Sequence, residues 1–451
     1  MFRIAHVGVF DIANYGDHLF PRVLTHELET RGYDGDIVLF SPYAGDEPFM
    51  QDVPVFSLTQ MEMMHQKEPF DAIVVGGGEI IHWRRYSQRK PGEAEQTVDY
   101  PMDHIWMIPC LMRLKYGVPI FWNACGVPYE FDSSDRGIVR FICSNVSYLS
   151  VRNDFSKNAL LKCGVPESDI HVVPDTAFLL KNAMGDLAVE ETLKSVFPGL
   201  EDYVVFHCNP FISEHDLQIA AIALRDLHDR GFQIALLPLA YTHGDDEILG
   251  KLKSRLAFDV YLPEVMLSLE ETIAVIAGAS LYIGVSLHGV VTAAAFDRKY
   301  IAFDYHANQK TRALLEQLNR QGYYLTQASE LSHTIERALT RWSEGDLNPI
   351  TTSIGKHFDA LFECMSQAGQ HAPALGQESL WAEILQRACS DGAQVEGLRD
   401  LVSVLNSQKE ELLKEYEKLF EKKCAQEEAY QRLVDDIRKK PLRTVWRLKR
   451  R

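Results

Sequence analysis

The feature of this sequence that most restricts its fold is the alternation of short apolar segments with amphipathic ones. The pattern is typical of buried strands that alternate with helices, and so of parallel sheets covered on both faces. It runs over residues 3–173, breaks in a polar, irregular stretch at 181–202, and restarts at Tyr203. The two runs predict an α/β protein with two doubly wound, Rossmann-like domains, over residues 1–185 and 195–345.

Length and charge set further limits. The chain has 451 residues, enough for two or three domains, and its hydrophobic and charged fractions are those of a globular protein. The formal net charge of -17 argues against a nucleic-acid partner. The eight cysteines show no CxxC spacing, which fits a reducing cytoplasm, and we expect a cytoplasmic protein. Residues 273–296 lack charge but are broken by glycine, serine and histidine, so we interpret them as a buried helix–strand–helix.

The C-terminal part of the chain has a different pattern. Leucines recur at heptad spacing within residues 375–438, which predicts either a helical, coiled-coil extension that could support a homo-oligomer or a solvated single helix. Residues 439–451 hold seven basic side chains, no acidic one, and Trp446. This tail could dock peripherally on the inner face of the cell membrane, or it could be a solvated end.

Two loops in the first half are candidate binding segments. Asn14, Gly16 and Asp17 lie between a strand and a helix predicted over 18–31, with Asp17 as its N-cap. The glycine and the helix N-terminus suit an anionic ligand, although an ordinary turn would use the same residues.

The second segment is the triplet Gly76, Gly77 and Gly78, which ends an apolar strand and is followed by Glu79. Glycines there can give backbone amides close access to a phosphate or sugar, and Arg84 and Arg85 could add charge. The alternative is a flexible turn that needs positive φ.

Two further strand ends carry the chemistry. Arg152 follows a strand, where a guanidinium can grip a carboxylate or phosphate. His288 lies with Ser286 and Gly289 at an apolar turn between a strand and a helix, where an imidazole could act as a general acid. A surface ion pair and a core histidine are the respective structural alternatives.

Over residues 1–330 these motifs, in this order, resemble the polysaccharide pyruvyl transferase family. They are Asn14-Tyr15-Gly16-Asp17, Gly76-Gly77-Gly78, Ser150-Val151-Arg152, Pro174-Asp175, Leu287-His288-Gly289, and Asp304-Tyr305 with Lys310 beyond. The resemblance implies a two-domain fold of the glycosyltransferase B type. It also implies a transferase that moves pyruvate from phosphoenolpyruvate onto two sugar hydroxyls as a cyclic ketal, without a cofactor or metal. Arg152 and His288 would then be the catalytic donor-site residues, and a glycan or lipid-linked glycan the acceptor.

The sequence departs from the family pattern at one position, since Ser286 stands where the family commonly has an arginine. Lys310, Arg312, Arg84 or Arg85 could replace that charge. Two other functions stay open, a nucleotide-sugar glycosyltransferase of the same architecture and a non-catalytic glycan-binding or scaffold protein.

Overall fold

The computed structural model describes residues 2–45, 53–84, 86–89, 97–343 and 345–368, all of which lie in one compact unit. The coiled-coil extension and the basic tail expected from the sequence fall outside the described residues. Among the described residues no helix is both long and apolar enough to cross a membrane.

The first half of the chain forms a seven-stranded parallel sheet. Its strands, in chain order, are β1 (Phe2–Val7), β2 (Gly35–Ser41), β3 (Val55–Ser57), β4 (Ala72–Gly76), β7 (Ile120–Cys125), β8 (Tyr148–Val151) and β9 (Ile170–Val172). Between β4 and β7 in the chain, β5 (Tyr86–Arg89) and β6 (Thr97–Tyr100) form a separate antiparallel hairpin. The spatial order is β3-β2-β1-β4-β7-β8-β9. The central strands β1, β4 and β7 are almost entirely buried because helices cover both faces of the sheet.

Seven α-helices among the described residues belong to this half in sequence. They are α1 (Tyr15–Thr30), α2 (Met61–Lys67), α3 (His104–Tyr116), α4 (Arg136–Ser144), α5 (Asp154–Lys162), α6 (Leu180–Met184) and α7 (Asp186–Val196). The last two correct the expectation of an irregular stretch at 181–202, because the polar residues there form the exposed side of a helix whose Val189 is buried.

The second half repeats the architecture around a five-stranded parallel sheet. Its strands are β10 (Tyr203–His207), β11 (Gln233–Leu236), β12 (Leu281–Gly284), β13 (Lys299–Phe303) and β14 (Tyr324–Leu325), in the order β11-β10-β12-β13-β14. Its helices are α8 (Glu214–Asp229), α9 (Asp245–Lys253), α10 (Leu269–Gly278), α11 (Leu287–Ala295), α12 (Gln309–Gln317) and α13 (Leu331–Arg341). The uncharged segment 273–296 is the buried succession α10–β12–α11, as the sequence predicts.

A final helix, α14 (Asn348–Ala368), returns to the first half. Its His357 bonds through Nδ1 to the Tyr148 hydroxyl at 3.0 Å and through Nε2 to Asn123 Oδ1 at 2.9 Å. Asp359 pairs with Arg31, the C-cap residue of α1, at 2.9 Å. The sequence reading left this segment unassigned.

The order of strands reverses between β1 and β4 in the first sheet and between β10 and β12 in the second. In open parallel sheets ligands bind outside the carboxyl ends of the strands at such reversals. The loops that follow β1, β4 and β12 carry most of the predicted site residues, so the topology places those residues at the two reversals. Arg152 follows β8, and Lys310 lies in α12.

The two halves are joined at this point by main-chain and side-chain bonds. The Tyr15 amide donates to the Leu239 carbonyl at 2.8 Å, and the Tyr241 amide donates to the Ala13 carbonyl at 3.1 Å. The buried hydroxyls of Tyr15 in α1 and Thr292 in α11 lie 2.7 Å apart. The first loop is therefore fixed against the second half.

Candidate active site

The first loop is built around the start of α1. Asn14 is the N-cap residue, so the helix begins three residues earlier than predicted and Asp17 lies in its first turn. Asn14 Nδ2 donates to Asp17 Oδ2 at 2.6 Å. A Cβ on Gly16 would lie 2.1 Å from His288 Nδ1. Glycine at this position is what lets the His288 imidazole sit directly on the first turn of α1.

The glycine turn is buried and tightly packed. Gly77 and Gly78 have φ values of +91° and +71°, in the left-handed region that glycine tolerates. A Cβ on Gly77 would lie 2.1 Å from the Phe20 ring, one on Gly78 2.8 Å from Asp17 Oδ1, and one on Gly76 2.8 Å from Asn123 Cβ. The turn thus brings the chain across the start of α1 and delivers Glu79 to the site. Ligand contact by the three glycines stays a prediction.

The centre of the site is an ion-pair network that joins both halves. Arg152 Nη2 lies 3.0 Å from Glu79 Oε1, and Lys310 Nζ lies 2.9 Å from Glu79 Oε2. Asp175 Oδ2 lies 3.7 Å from Arg152 Nη1 and 3.4 Å from His288 Nε2. The side chains of Arg152, Asp175 and His288 are only 7%, 8% and 14% exposed. The guanidinium and the imidazole therefore converge on one carboxylate oxygen.

Three polar atoms at this convergence have no hydrogen bond to any described residue. They are Arg152 Nη1, Asp175 Oδ2 and His288 Nε2. Their mutual contacts, at 3.4 and 3.7 Å, are longer than ordinary hydrogen bonds. Buried polar atoms are nearly always bonded in native proteins, so three that face one point indicate a place where a ligand or water completes the set.

The charges at the site reinforce one another. Burial opposes ionisation of Glu79, but Arg152 and Lys310 outweigh it and lower the pKa of Glu79 to about 2. Burial likewise opposes ionisation of Asp175, yet His288 and Arg152 hold its pKa below the usual range. Burial raises the pKa of Asp17, although His288, Asn14 and Arg152 act against the shift. Glu79 and Asp175 are thus ionised at neutral pH.

His288 occupies the first turn of α11 rather than a turn before it. Ser286 is the N-cap, and its hydroxyl accepts from the Gly289 amide at 3.3 Å. A Cβ on Gly289 would lie 2.0 Å from the Tyr282 hydroxyl oxygen, so the helix rests directly on that side chain. The imidazole packs edge-to-face on Phe20 of α1, with ring centroids 5.5 Å apart. Contacts from both halves therefore orient it.

Among the described cations suggested in place of the family arginine, one reaches this network. Lys310 of α12 does so through Glu79. Arg312 pairs instead with Glu316 on its own helix at 3.1 Å. Arg84 stacks on the ring of Tyr129, and Arg85 lies outside the described residues.

Asp175 lies in the motif Pro174-Asp175, but it was not predicted as a site residue. Its Oδ1 accepts from the Ala177 amide at 3.0 Å and caps a short 3-10 helix, Thr176–Leu179. Aspartate at a helix start usually signals only such a cap. The sequence offered one signal that it also faces the site. Asp175 comes shortly after β9, and residues that follow a strand lie at the carboxyl edge of the sheet.

The arrangement suits binding and protonating a small acid. Arg152 and Lys310 offer cations, the first turns of α1 and α11 offer amides, and His288 offers a proton donor held by a carboxylate. Among the described residues no group of three or more histidine, cysteine or acidic side chains is placed to hold a metal ion.

Comparison with known proteins agrees with these motifs. A sequence model described as polysaccharide pyruvyl transferase matches residues 14–307, well over half of the chain. No curated protein matches the chain.

Solved structures show the fold. A UDP-GlcNAc 2-epimerase from Methanocaldococcus jannaschii superposes with a TM-score of 0.52 at 15% identity, covering 80% of this chain and 100% of that one. The enzyme of the same name from Neisseria meningitidis, bound to UDP-GlcNAc, gives 0.52 at 10% identity, covering 81% and 100%. That from Rickettsia bellii gives 0.50 at 10% identity, covering 82% and 97%. The likeness confirms the predicted fold of two parallel sheets of the glycosyltransferase B type.

Proposed function

Because the chain belongs to the polysaccharide pyruvyl transferase family, we propose that it transfers pyruvate from phosphoenolpyruvate to a sugar of a surface glycan or its precursor, as a cyclic ketal. The observation that carries the proposal is the convergence of His288 and Arg152 on Asp175, with an unbonded nitrogen on the imidazole and another on the guanidinium. An imidazole and a guanidinium side by side are what an enolpyruvyl donor needs.

In the proposed reaction His288, in its protonated form, gives its proton to the methylene carbon of the donor. The double bond is consumed, and the central carbon becomes electrophilic. One sugar hydroxyl adds to that carbon and returns a proton to His288. Phosphate leaves, and a second hydroxyl closes the ring and gives up the proton that phosphate carries away. The products are one ketal and one inorganic phosphate.

The cations hold the donor during these steps. Arg152 suits a planar carboxylate through its fork of N–H donors, and Lys310 suits the phosphate as a point charge. Since Glu79 occupies both cations in the free protein, the donor must displace it from at least one of them. Asp175 stays against His288 and balances the charge of the protonated imidazole.

Ligand-induced stabilisation tests the donor class. Phosphoenolpyruvate at about 100 times its Kd should stabilise the fold by about 2.7 kcal/mol, whereas UDP-GlcNAc should not. Arg152→Gln should lose the response, while Arg140→Gln, at an exposed site on α4, should keep it. Stabilisation by the nucleotide sugar alone would favour a glycosyltransferase, and no response to either compound would favour a non-catalytic role.

Product formation tests the transfer itself. A glycan incubated with protein and phosphoenolpyruvate should gain the mass of one pyruvyl ketal and release one inorganic phosphate per transfer. Phosphate release without a modified glycan would indicate hydrolysis of the donor and contradict the proposed transfer.

A further inference from the structure

Arg84 has no part in the reaction above, yet it is held in a defined position. Its guanidinium carbon lies 3.6 Å above the centroid of the Tyr129 ring. Arg84 is exposed and Tyr129 half-buried, and none of the ion pairs among the described residues includes Arg84. A guanidinium stacked on an aromatic face keeps its N–H edges available and loses little rotamer freedom on binding. The Arg84–Tyr129 stack is therefore a cation preorganised for a ligand.

The stack is connected to the active site by two loops that run side by side. The Gly126 amide donates to the Gly78 carbonyl at 2.9 Å, and the Ile81 amide donates to the Gly126 carbonyl at 3.1 Å. A Cβ on Gly126 would lie 2.9 Å from Glu79 Cγ and 3.0 Å from Arg152 Nε. One end of the paired loops thus touches the centre of the site.

His82 links that centre to the stack at the other end. Its buried ring lies edge-to-face beneath Tyr129, with centroids 5.6 Å apart. Burial lowers the pKa of His82 to about 4, and the charges of Glu79 and Arg84 act on it in opposite directions. Arg84 is five positions after Glu79 in the chain, which limits their Cα distance to about 18 Å. The stack therefore lies within a few sugar units of the reacting centre.

Charge identifies the ligand class. A protein with a net charge of -17 repels acidic polymers at long range, so an acidic acceptor needs a local cation near the site. Carboxylate and phosphate both fit the edge of a stacked guanidinium. We propose that the Arg84–Tyr129 stack is an acceptor subsite that binds an anionic group, a uronate carboxylate or a phosphate, on the glycan that receives pyruvate. The acceptor role rests on the proposed function, but the binding can be measured without transfer.

The test is retention of the full chain on immobilised glycans of three kinds, neutral, uronate-containing and phosphorylated. Wild-type protein should bind acidic glycans more tightly than neutral ones. Arg84→Gln should weaken that binding at least tenfold and leave neutral glycans unaffected. Tyr129→Leu should weaken it in the same direction, because the guanidinium loses its platform. Arg140→Gln is the matched control for loss of an exposed arginine in the first half, and it should bind as the wild type does.

The three glycans distinguish the two candidate anions. If only the uronate-containing glycan or only the phosphorylated glycan shows Arg84-dependent retention of the protein, that glycan carries the group that the subsite binds. Equal binding of neutral and acidic glycans, unchanged binding by Arg84→Gln, or no retention of any acidic glycan would each overturn the subsite. Stabilisation by phosphoenolpyruvate is measured on the same variants and should be unaffected by Arg84→Gln. If wild-type protein shows Arg84-dependent retention but no response to phosphoenolpyruvate, the subsite stands and the proposed donor fails.

Discussion

His288 supplies the proton in the proposed reaction, so its replacement gives the most direct prediction for a single residue. His288→Asn should lower kcat by about 10²–10⁴-fold, the usual contribution of a general acid, and leave the fold intact. Donor consumption and the urea midpoint measure the two effects. His333→Asn, at an exposed position on α13, is the control and should behave as the wild type does. Full activity in His288→Asn would remove this residue from the mechanism.

Gly16 has a role at the same imidazole. Gly16→Ala puts a methyl group 2.1 Å from His288 Nδ1, so the ring must move. We expect at least a tenfold loss of kcat/KM and an overpacking cost of about 1–3 kcal/mol in the free energy of unfolding.

Gly250→Ala is the matched control, because a Cβ there meets nothing within 4 Å and the residue lies inside α9. It should raise the free energy of unfolding by about 0.5–1 kcal/mol and leave activity unchanged. Similar activity in the two variants would show that the imidazole tolerates displacement.

The sequence predicted the types of site residue better than their contacts. Arg152 and His288 stand out as charged or polar residues at the ends of apolar strands, and the structure brings them together. Asp175 enters the sequence analysis only within the motif Pro174-Asp175, with no role predicted for it. In the structure one of its oxygens makes an ordinary helix cap, while the other faces Arg152 and His288. Only the tertiary fold shows that second use.

At the scale of elements, the contact of α1 with α11 holds the first loop against His288. Tyr15→Phe alone leaves the buried Thr292 hydroxyl without this bond and should cost about 1–3 kcal/mol, and Thr292→Val alone breaks the same bond. The double variant removes both hydroxyls and should cost less than the sum of the single changes. Urea unfolding of the four proteins measures the coupling, and strict additivity would contradict the importance of this bond.

Elements were predictable where local pattern and tertiary packing agree. The apolar strands and the Ser268–Glu271 capping box of α10 follow from sequence alone. Helix α14 was not assigned because its early residues, Thr351, Thr352 and Ser353, are weak helix formers. Its apolar side, which includes Ile354, Phe358 and Leu361, is buried in the core, so packing rather than propensity stabilises the helix.

For the whole molecule, buried histidines predict sensitivity to acid. Burial lowers the pKa of His6 and His357 to about 3 and of His18 and His82 to about 4, against 6.5 for the ordinary side chain. The unfolded chain therefore binds more protons, and stability falls as pH drops from about 6.5 towards 4. Each group contributes up to about 1.4 kcal/mol per pH unit.

Urea midpoints measured between pH 7.5 and 4.5 check this expectation. The raised pKa of Asp17 acts in the opposite sense, since its protonation relieves a buried charge, but it is one group against four. The lowered pKa values of Glu79 and Asp175 add a further loss once the pH falls below their usual range. A flat profile would contradict the assignment of these histidines as neutral in the folded state.

Glu79 has a consequence for which molecules can enter the site. In the free protein its carboxylate is bound by an arginine from one half and a lysine from the other. A ligand that enters the site must therefore displace this carboxylate. A ligand with a single negative charge gains no electrostatic energy by replacing an anion that is already bound. Only a ligand that carries more negative charge than the carboxylate it displaces gains electrostatic energy on binding. We therefore expect that the abundant small monoanions of a cell do not bind at this site.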